Sequence, residues 1–237
     1  MEINNKYLKK IYTKDKGYGF IAKINIPKNT IILCEKPKFY LQKESTYFNI
    51  FVLLYSLLSS NDNESIKNFT NMLPKNLDNF QTVISIVSEE FTNLNKNSEI
   101  YKFLVTNFTS TEICLYVCKF MCNAFTFGNT GCALLFNGNI LNHSCLPNVV
   151  FGLKDNFIQF ITTQVVKKND EIYDSYIDIT LSKKDRQSHL LKQYGFLCKC
   201  NRCDEKDNSI IKTMDNTATN LELLKYKMFG YCKSIKM

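Results

Sequence analysis

The sequence predicts an α+β fold, mainly β, on three observations. Strand-like alternation occupies residues 14–41 and again 130–180. Between them, residues 42–108 carry helical apolar patterns broken at NDNES, at Pro74 to Asn79 and at NLNKNS. Near the end, Cys198, Cys200 and Cys203 crowd into C-x-C-x-x-C, which marks a small metal-held knot.

Each element has its own warrant. KGYGF, residues 16–20, is a short glycine-bearing turn in a β context, followed by the alternating IAKI, the turn Pro27-Lys28-Asn29 and the β-rich TIILCE. Residues 42–108 hold no cysteine, no histidine and no catalytic-looking cluster, and read as a helical insertion. Thr109 to Glu112 fits a capping box, in which hydroxyl and carboxylate satisfy exposed N–H donors. Ile113, Tyr116, Val117, Phe120, Met121 and Ala124 then form one apolar stripe. ALLF, VVFGL, FIQFITTQVV and EIYDSYI read as strands, and Ser182 to Tyr194 as a short helix. Beyond Asp204 a polar linker and one weak helix, Leu221 to Phe229, are expected.

At 237 residues and 45% hydrophobic, the chain suits one large domain or two small ones with a real core. An aromatic content of 13% excludes wholesale disorder. The net charge of +8 rests on 28 scattered lysines and only two arginines, Arg186 and Arg202. Nucleic-acid readers cluster their charge and exploit the planar fork of arginine, so no direct nucleic-acid binding is expected. The apolar stretch from Ile50 to Leu58 is about half of the ~20 residues a membrane span needs. The N-terminus MEINNKYLKK lacks an apolar signal core, so a soluble intracellular protein is expected. No basic cluster reads as an import signal, which leaves nucleus and cytoplasm both open.

Ten cysteines without a secretory signal favour metal binding or burial over disulfides. Three thiolates from one short loop leave one corner of a tetrahedral zinc site to fill. Cys145 in NHSCLPN is the best fourth ligand, with Cys132 and Cys232 as competitors. Cys114, Cys118 and Cys122 recur at helical spacing, span too far to close on one ion, and read as core packing. KGYGF lacks the third glycine and following helix of a dinucleotide fingerprint. Asn142-His143-Ser144 is weak alone, and His189 reads as a surface or packing residue. Tyr173, Tyr176, Tyr194 and Phe196 gather near the cysteine segment, where aromatic faces would suit an ammonium or sulfonium cation.

Taken in order, KGYGF, NHSCLPN, DEIYDSYID and YGFLCKCNRC resemble the SET-domain protein lysine methyltransferases, and most of all their SET and MYND domain (SMYD) branch. CNAFTFGN at 122–129 is similar to the family segment leading into NHS. The resemblance covers residues 14–41 and about 109–204. The MYND zinc-finger ligands are missing from residues 42–108, and the long C-terminal helical domain of typical members is expected to be absent unless the chain is a truncated product.

The resemblance implies a SET-domain β-clip fold with knot-like C-terminal threading and a post-SET zinc site. It divides the chain into 1–41, the N-terminal part of the SET domain; 42–108, a helical insertion; 109–180, the inner and C-terminal SET region; 181–204, the post-SET zinc segment; and 205–237, a partly helical tail. It further implies S-adenosylmethionine contacts at Lys16, Gly17, Tyr18 and Gly19, and at Asn142 and His143 with Asn123 nearby. Phe196 would stack on the adenine. Tyr176 would be the active-site tyrosine and Tyr194 would support it from the post-SET side. Cys145, Cys198, Cys200 and Cys203 would bind one structural zinc. The implied activity is methylation of lysine on a histone or non-histone protein; the rival reading is a non-catalytic SET scaffold.

Overall fold

The structure is a computed structural model that describes residues 2–3, 6–41, 46–127 and 131–229. They divide into two units. One gathers the described residues of Met1–Pro37, Asn137–Leu190 and Phe196–Ser234; the other gathers those of Lys38–Phe136 with Leu191–Gly195.

The first unit is built on two four-stranded sheets. In one, β1 (Glu2–Ile3), β4 (Ile31–Glu35), β10 (Phe157–Thr162) and β9 (Val149–Lys154) lie in that order, all antiparallel. Asp155 and Asn156, with φ of 51° and 63°, make the two-residue turn between β9 and β10. Asn and Asp tolerate this left-handed conformation, whose twist matches that of the flanking strands. In the other sheet the order is β2 (Leu8–Thr13), β3 (Gly17–Ala22), β11 (Glu171–Asp174) and β8 (Asn142–His143). Here β11 runs antiparallel to β3 and parallel to β8, pairing Tyr173 with Asn142 and Asp174 with His143. Leu8, Phe20, Ile32, Leu33, Val149, Ile158, Phe160 and Ile172 are buried in this unit.

The second unit is mostly helical. It comprises α1 (Tyr47–Leu58), α2 (Asn63–Thr70), α3 (Gln81–Thr92), α4 (Glu99–Asn107) and α5 (Ser110–Asn123). A small antiparallel sheet joins them, ordered β5 (Phe39–Leu41), β7 (Gly131–Leu134), β6 (Ala124–Phe127). Thr46, Asp62, Ser98 and Thr109 each accept a backbone N–H at a helix start. At α5 the capping box is complete: Glu112 N–H donates to the Thr109 hydroxyl, and Thr109 N–H donates to the Glu112 carboxylate. Ile113, Val117, Phe120 and Met121 are buried from that helix, and Cys114 and Cys118 with them. Gly128 and Asn129, the end of CNAFTFGN, lie outside the described residues, as does Cys232.

Three further helices follow: α6 (Lys183–Tyr194), α7 (Asn201–Asp204) and α8 (Asn208–Phe229). The last corrects the expected polar linker, because helix begins at Asn208 rather than at Leu221. Asn and Thr are mediocre helix formers, so tertiary contacts decide the matter. Asp207 accepts the Ser209 and Ile210 N–H groups, Ala218 is fully buried, and Asp215 pairs with Arg202. Lys225 lies 4.5 Å above the Phe151 ring of β9. The Asp207 cap is local, but the other contacts do not show in a local sequence window.

Candidate active site and metal centre

The four sulfurs of Cys145, Cys198, Cys200 and Cys203 lie within 4.8 Å of one another. Tetrahedral zinc–thiolate bonds of about 2.3 Å would set sulfurs about 3.8 Å apart. Cys145 Sγ lies 3.6 Å from that of Cys203 and 4.0 Å from that of Cys198, so the donor set fits a closed tetrathiolate zinc site. Cys145 is therefore the fourth member of the cluster. Cys132 belongs instead to β7 of the helical unit.

Local structure brings the thiols together. Ser182 and Asp185 cap the start of α6, and Gly195, at φ 75°, ends it by returning its N–H to Leu191. Gln187 then grips the chain at Cys198, donating to its carbonyl and accepting its N–H. The Cys203 N–H bonds the Cys200 carbonyl as α7 begins, folding the last two ligands into one turn.

The cluster's electrostatics follow from its crowding. Hydrogen bonds from the neighbouring thiols hold Cys200 in its thiolate form, those of Cys145, Cys198 and Cys203 together. Cys203 is also drawn down, to about 7, by the Cys145 thiol first of all. Cys145, the shared donor, is pushed up in return. Such a set ionises fully only beside positive charge. Sequence composition passed over the protein component of that charge: Arg186 and Arg202 are both buried here, at 2% and 3% exposed. Burial opposes the Arg186 charge, and the Cys145 and Cys203 sulfurs outweigh it. Arg202 donates to the Cys145 and Ile179 carbonyls at 3.0 and 2.6 Å, while its Nε and Nη2 meet one Asp215 oxygen.

Beside the metal cluster, Asn142, His143 and Tyr176 form one assembly. The Tyr176 N–H donates to His143 Nδ1 at 3.1 Å, and the Tyr176 hydroxyl donates to the Leu141 carbonyl at 2.7 Å. With Nδ1 accepting, the neutral ring carries its proton on Nε2, 3.4 Å from Cys145 Sγ. Burial lowers the His143 pKa to about 4, so the ring is neutral at pH 7. Its ring centroid lies 5.3 Å from that of Tyr176 and 6.2 Å from that of Phe196.

The KGYGF turn joins this assembly through a residue the sequence reading missed, Glu171. Its carboxylate accepts from Lys16 at 2.9 Å, from Tyr173 at 2.6 Å and from Asn142 at 2.8 Å. Burial works against the Glu171 charge, and these three bonds overcome it, holding the carboxyl below its ordinary range. The two glycines serve different ends. Gly17 has φ 74°, and a Cβ on Gly19 would stand 2.6 Å from Asn142 Nδ2. Tyr18, between them, is 57% exposed. The only sequence signal for Glu171 was its place at the head of the EIYDSYI strand, where a lone acid reads as solvated.

Lys16, Gly17, Tyr18, Gly19, Asn142, His143, Tyr176 and Phe196 thus share the first unit with the four cysteines. Asn123 and Tyr194 fall in the second. The Asn123 amide donates to the Leu73 and Lys119 carbonyls, both at 2.7 Å, and Tyr194 is the last residue of α6. His189 is exposed on that helix.

A β-rich unit thus sets an asparagine–histidine pair and a tyrosine against a tetracysteine centre. The chain matches the SET domain over residues 17–177, and it belongs to that family. It is 40% identical over 203 residues to a SET domain-containing protein of Acanthamoeba polyphaga mimivirus, covering 84% of this chain and 78% of that protein. It is 33% identical over 96 residues to the human N-lysine methyltransferase SMYD2, covering 38% of this chain but 22% of that enzyme. The SET domain of LSMT bound to lysine and AdoHcy superposes with a TM-score of 0.61 at 17% identity, covering 84% of this chain and 54% of the other. That likeness establishes the SET fold.

Proposed function

We propose that this SET domain is an S-adenosylmethionine-dependent protein-lysine N-methyltransferase, acting on a histone or non-histone protein. One observation carries the reading: Tyr176 has its hydroxyl proton committed to the Leu141 carbonyl, beside the rings of His143 and Phe196. Toward any further partner that oxygen acts as an acceptor, which suits an amine N–H. SMYD2, related over 96 residues, is named an N-lysine methyltransferase; one LSMT structure is bound to lysine and AdoHcy, and another to AdoMet.

The chemistry asks little of the protein beyond placement. A lysine ammonium, pKa ~10.4, is neutral in only roughly one molecule in a few thousand at pH 7. An aromatic, partly desolvated slot disfavours the charged form. When bound, S-adenosylmethionine supplies an electrophilic sulfonium methyl. Tyr176 orients the amine, Lys16, Asn142 and His143 with the KGYGF turn form the cofactor's binding wall, and Phe196 packs the adenine. Cys145, Cys198, Cys200 and Cys203 hold a structural zinc that fixes the segment carrying Phe196. Catalysis is then alignment and exclusion of water, and no separate general base is required.

The test is transfer of a labelled methyl group from S-adenosylmethionine to a protein library, with product lysines identified by mass spectrometry. The expected result is lysine methylation that falls at least tenfold in Tyr176→Phe. Cofactor binding without transfer to any protein would favour the scaffold reading.

A further inference from the structure

Tyr176 is held at two points by one short segment. Its hydroxyl is fixed by the Leu141 carbonyl and its backbone N–H by the His143 ring. The same ring spends its other nitrogen on the metal cluster. Since Nδ1 accepts from Tyr176, Nε2 must donate, and the atom it faces is Cys145 Sγ at 3.4 Å. The tie is reinforced alongside: the Ser144 N–H bonds the Asp174 carbonyl, and the Asn148 side chain bonds both the Tyr173 N–H and the Glu171 carbonyl. A sulfur ligand, an imidazole and the tyrosine backbone therefore form one chain of contacts. Movement of Cys145 displaces the acceptor that fixes the Tyr176 amide. Outer contacts of this kind orient a ligand from the metal's side; here the orientation also runs from the metal ligand outward.

We infer that His143 is a positioning residue that couples metal occupancy of the four-cysteine centre to the placement of Tyr176, through Nε2–H to Cys145 and Nδ1 to the Tyr176 N–H. The inference deepens the methyltransferase reading and rests on it for the role of Tyr176. The physical coupling does not depend on activity.

Two substitutions separate the two ring nitrogens. His143→Asn places a carbonyl oxygen near the Nδ1 position and removes the Nε2 donor. His143→Gln places an amide donor near Nε2 and removes the Nδ1 acceptor. Cobalt-substituted protein reports the metal side through its thiolate charge-transfer bands and chelator competition. Amide hydrogen exchange at Tyr176 reports the other side. In His143→Asn, metal affinity falls roughly ten- to a hundredfold, and Tyr176 exchange stays slow when metal is saturating. In His143→Gln, metal affinity stays within about threefold of the parent, Tyr176 exchange quickens, and kcat falls in a way that zinc does not restore. In the unmodified chain, removing the metal quickens Tyr176 exchange; in His143→Gln, removal adds nothing further.

A purely structural histidine would lower metal affinity and Tyr176 protection together in both variants, which overturns the inference. So does Tyr176 exchange that ignores metal in the unmodified chain. If the unmodified chain methylates no protein, the methyltransferase reading fails, while the exchange and cobalt measurements still decide the coupling.

Discussion

Two sets of cysteines, one in each unit, show how placement alone turns the same side chain to different chemistry. Cys114, Cys118 and Cys122 follow one another along α5. With 1.5 Å of rise per residue, each lies about 6 Å along the axis from the next, so no cation can bridge all three. Burial pushes the Cys118 thiol up to about 12, and Cys114 and Cys122 shift the same way for the same reason. Of the other four, three come from one short segment and Cys145 from a distant one, and they converge on one point. The buried cations differ as well. Lys119 of α5, 2% exposed, gives its ammonium to the Met72 and Pro74 carbonyls at 2.5 and 2.8 Å. Arg186 and Arg202 instead stand against the tetracysteine centre. A tetrathiolate zinc carries a formal charge of about −2; the Arg186 guanidinium faces the Cys145 and Cys203 sulfurs, while that of Arg202 holds the Cys145 carbonyl and Asp215. Convergent sulfurs and matching cations make a metal site; cysteines in a row make core.

The severest challenge to this contrast is Cys200→Ser. Loss of one of four ligands should empty the metal site and loosen the segment from Phe196 to Asp204, abolishing cofactor binding. Calorimetry with S-adenosylhomocysteine and metal analysis of the same sample check it. Undiminished affinity in a metal-free variant would show that the centre does not support the cofactor wall.

A smaller effect concerns the cation in the helical unit. Burial lowers the Lys119 pKa from 10.5 to about 8, with Lys75 adding to the shift. Between those values the unfolded chain binds more protons than the native one, so stability rises with pH across that window. Below about pH 8 both states are protonated and the cost is felt in full. Relative to Lys119→Met, the parent should gain on the order of 3 kcal/mol from pH 8 to 10.5, read from urea unfolding of both proteins. A difference that stays flat with pH would mean the two carbonyls hold the ammonium as well as water does.

Next comes Arg202→Lys. A lysine keeps the charge but cannot reach two carbonyls and Asp215 together, because its donors radiate from one atom. Metal affinity should fall about tenfold, toward the low end for contacts beyond the ligands themselves, since Asp215 is half-exposed. Chelator competition measures this. Unchanged affinity would assign the arginine to holding α8 alone.

These residues also mark where the sequence was legible. Periodicity and a capping box reveal the helical block and α5, because both signals are local. The cysteine spacing reveals three ligands and motif order supplies the fourth. Glu171, Arg186 and Arg202 escaped because a lone charged residue looks solvated until the partner that buries it is known. The two residues of β8 are too few to show a period, and α8 owes its first half to Arg202 and to buried Ala218 rather than to propensity.

The smallest effect comes from making the Cys200→Ser exchange at Cys118 instead. Cys118 is 1% exposed and packs as a small apolar group. A serine there buries a hydroxyl, which can bond the carbonyl one turn back and so avoids the full desolvation cost. Destabilisation of about 1 kcal/mol is expected, visible as a shift in the urea midpoint. Cobalt stoichiometry and cofactor affinity should stay at parental values. With its pKa near 12, Cys118 also presents almost no thiolate at neutral pH. In the folded protein, an alkylating reagent added after chelation should therefore mark Cys200 and Cys203, whose thiols are drawn down, well before Cys118. Loss of metal in Cys118→Ser, or early alkylation of Cys118, would erase the distinction between the two sets.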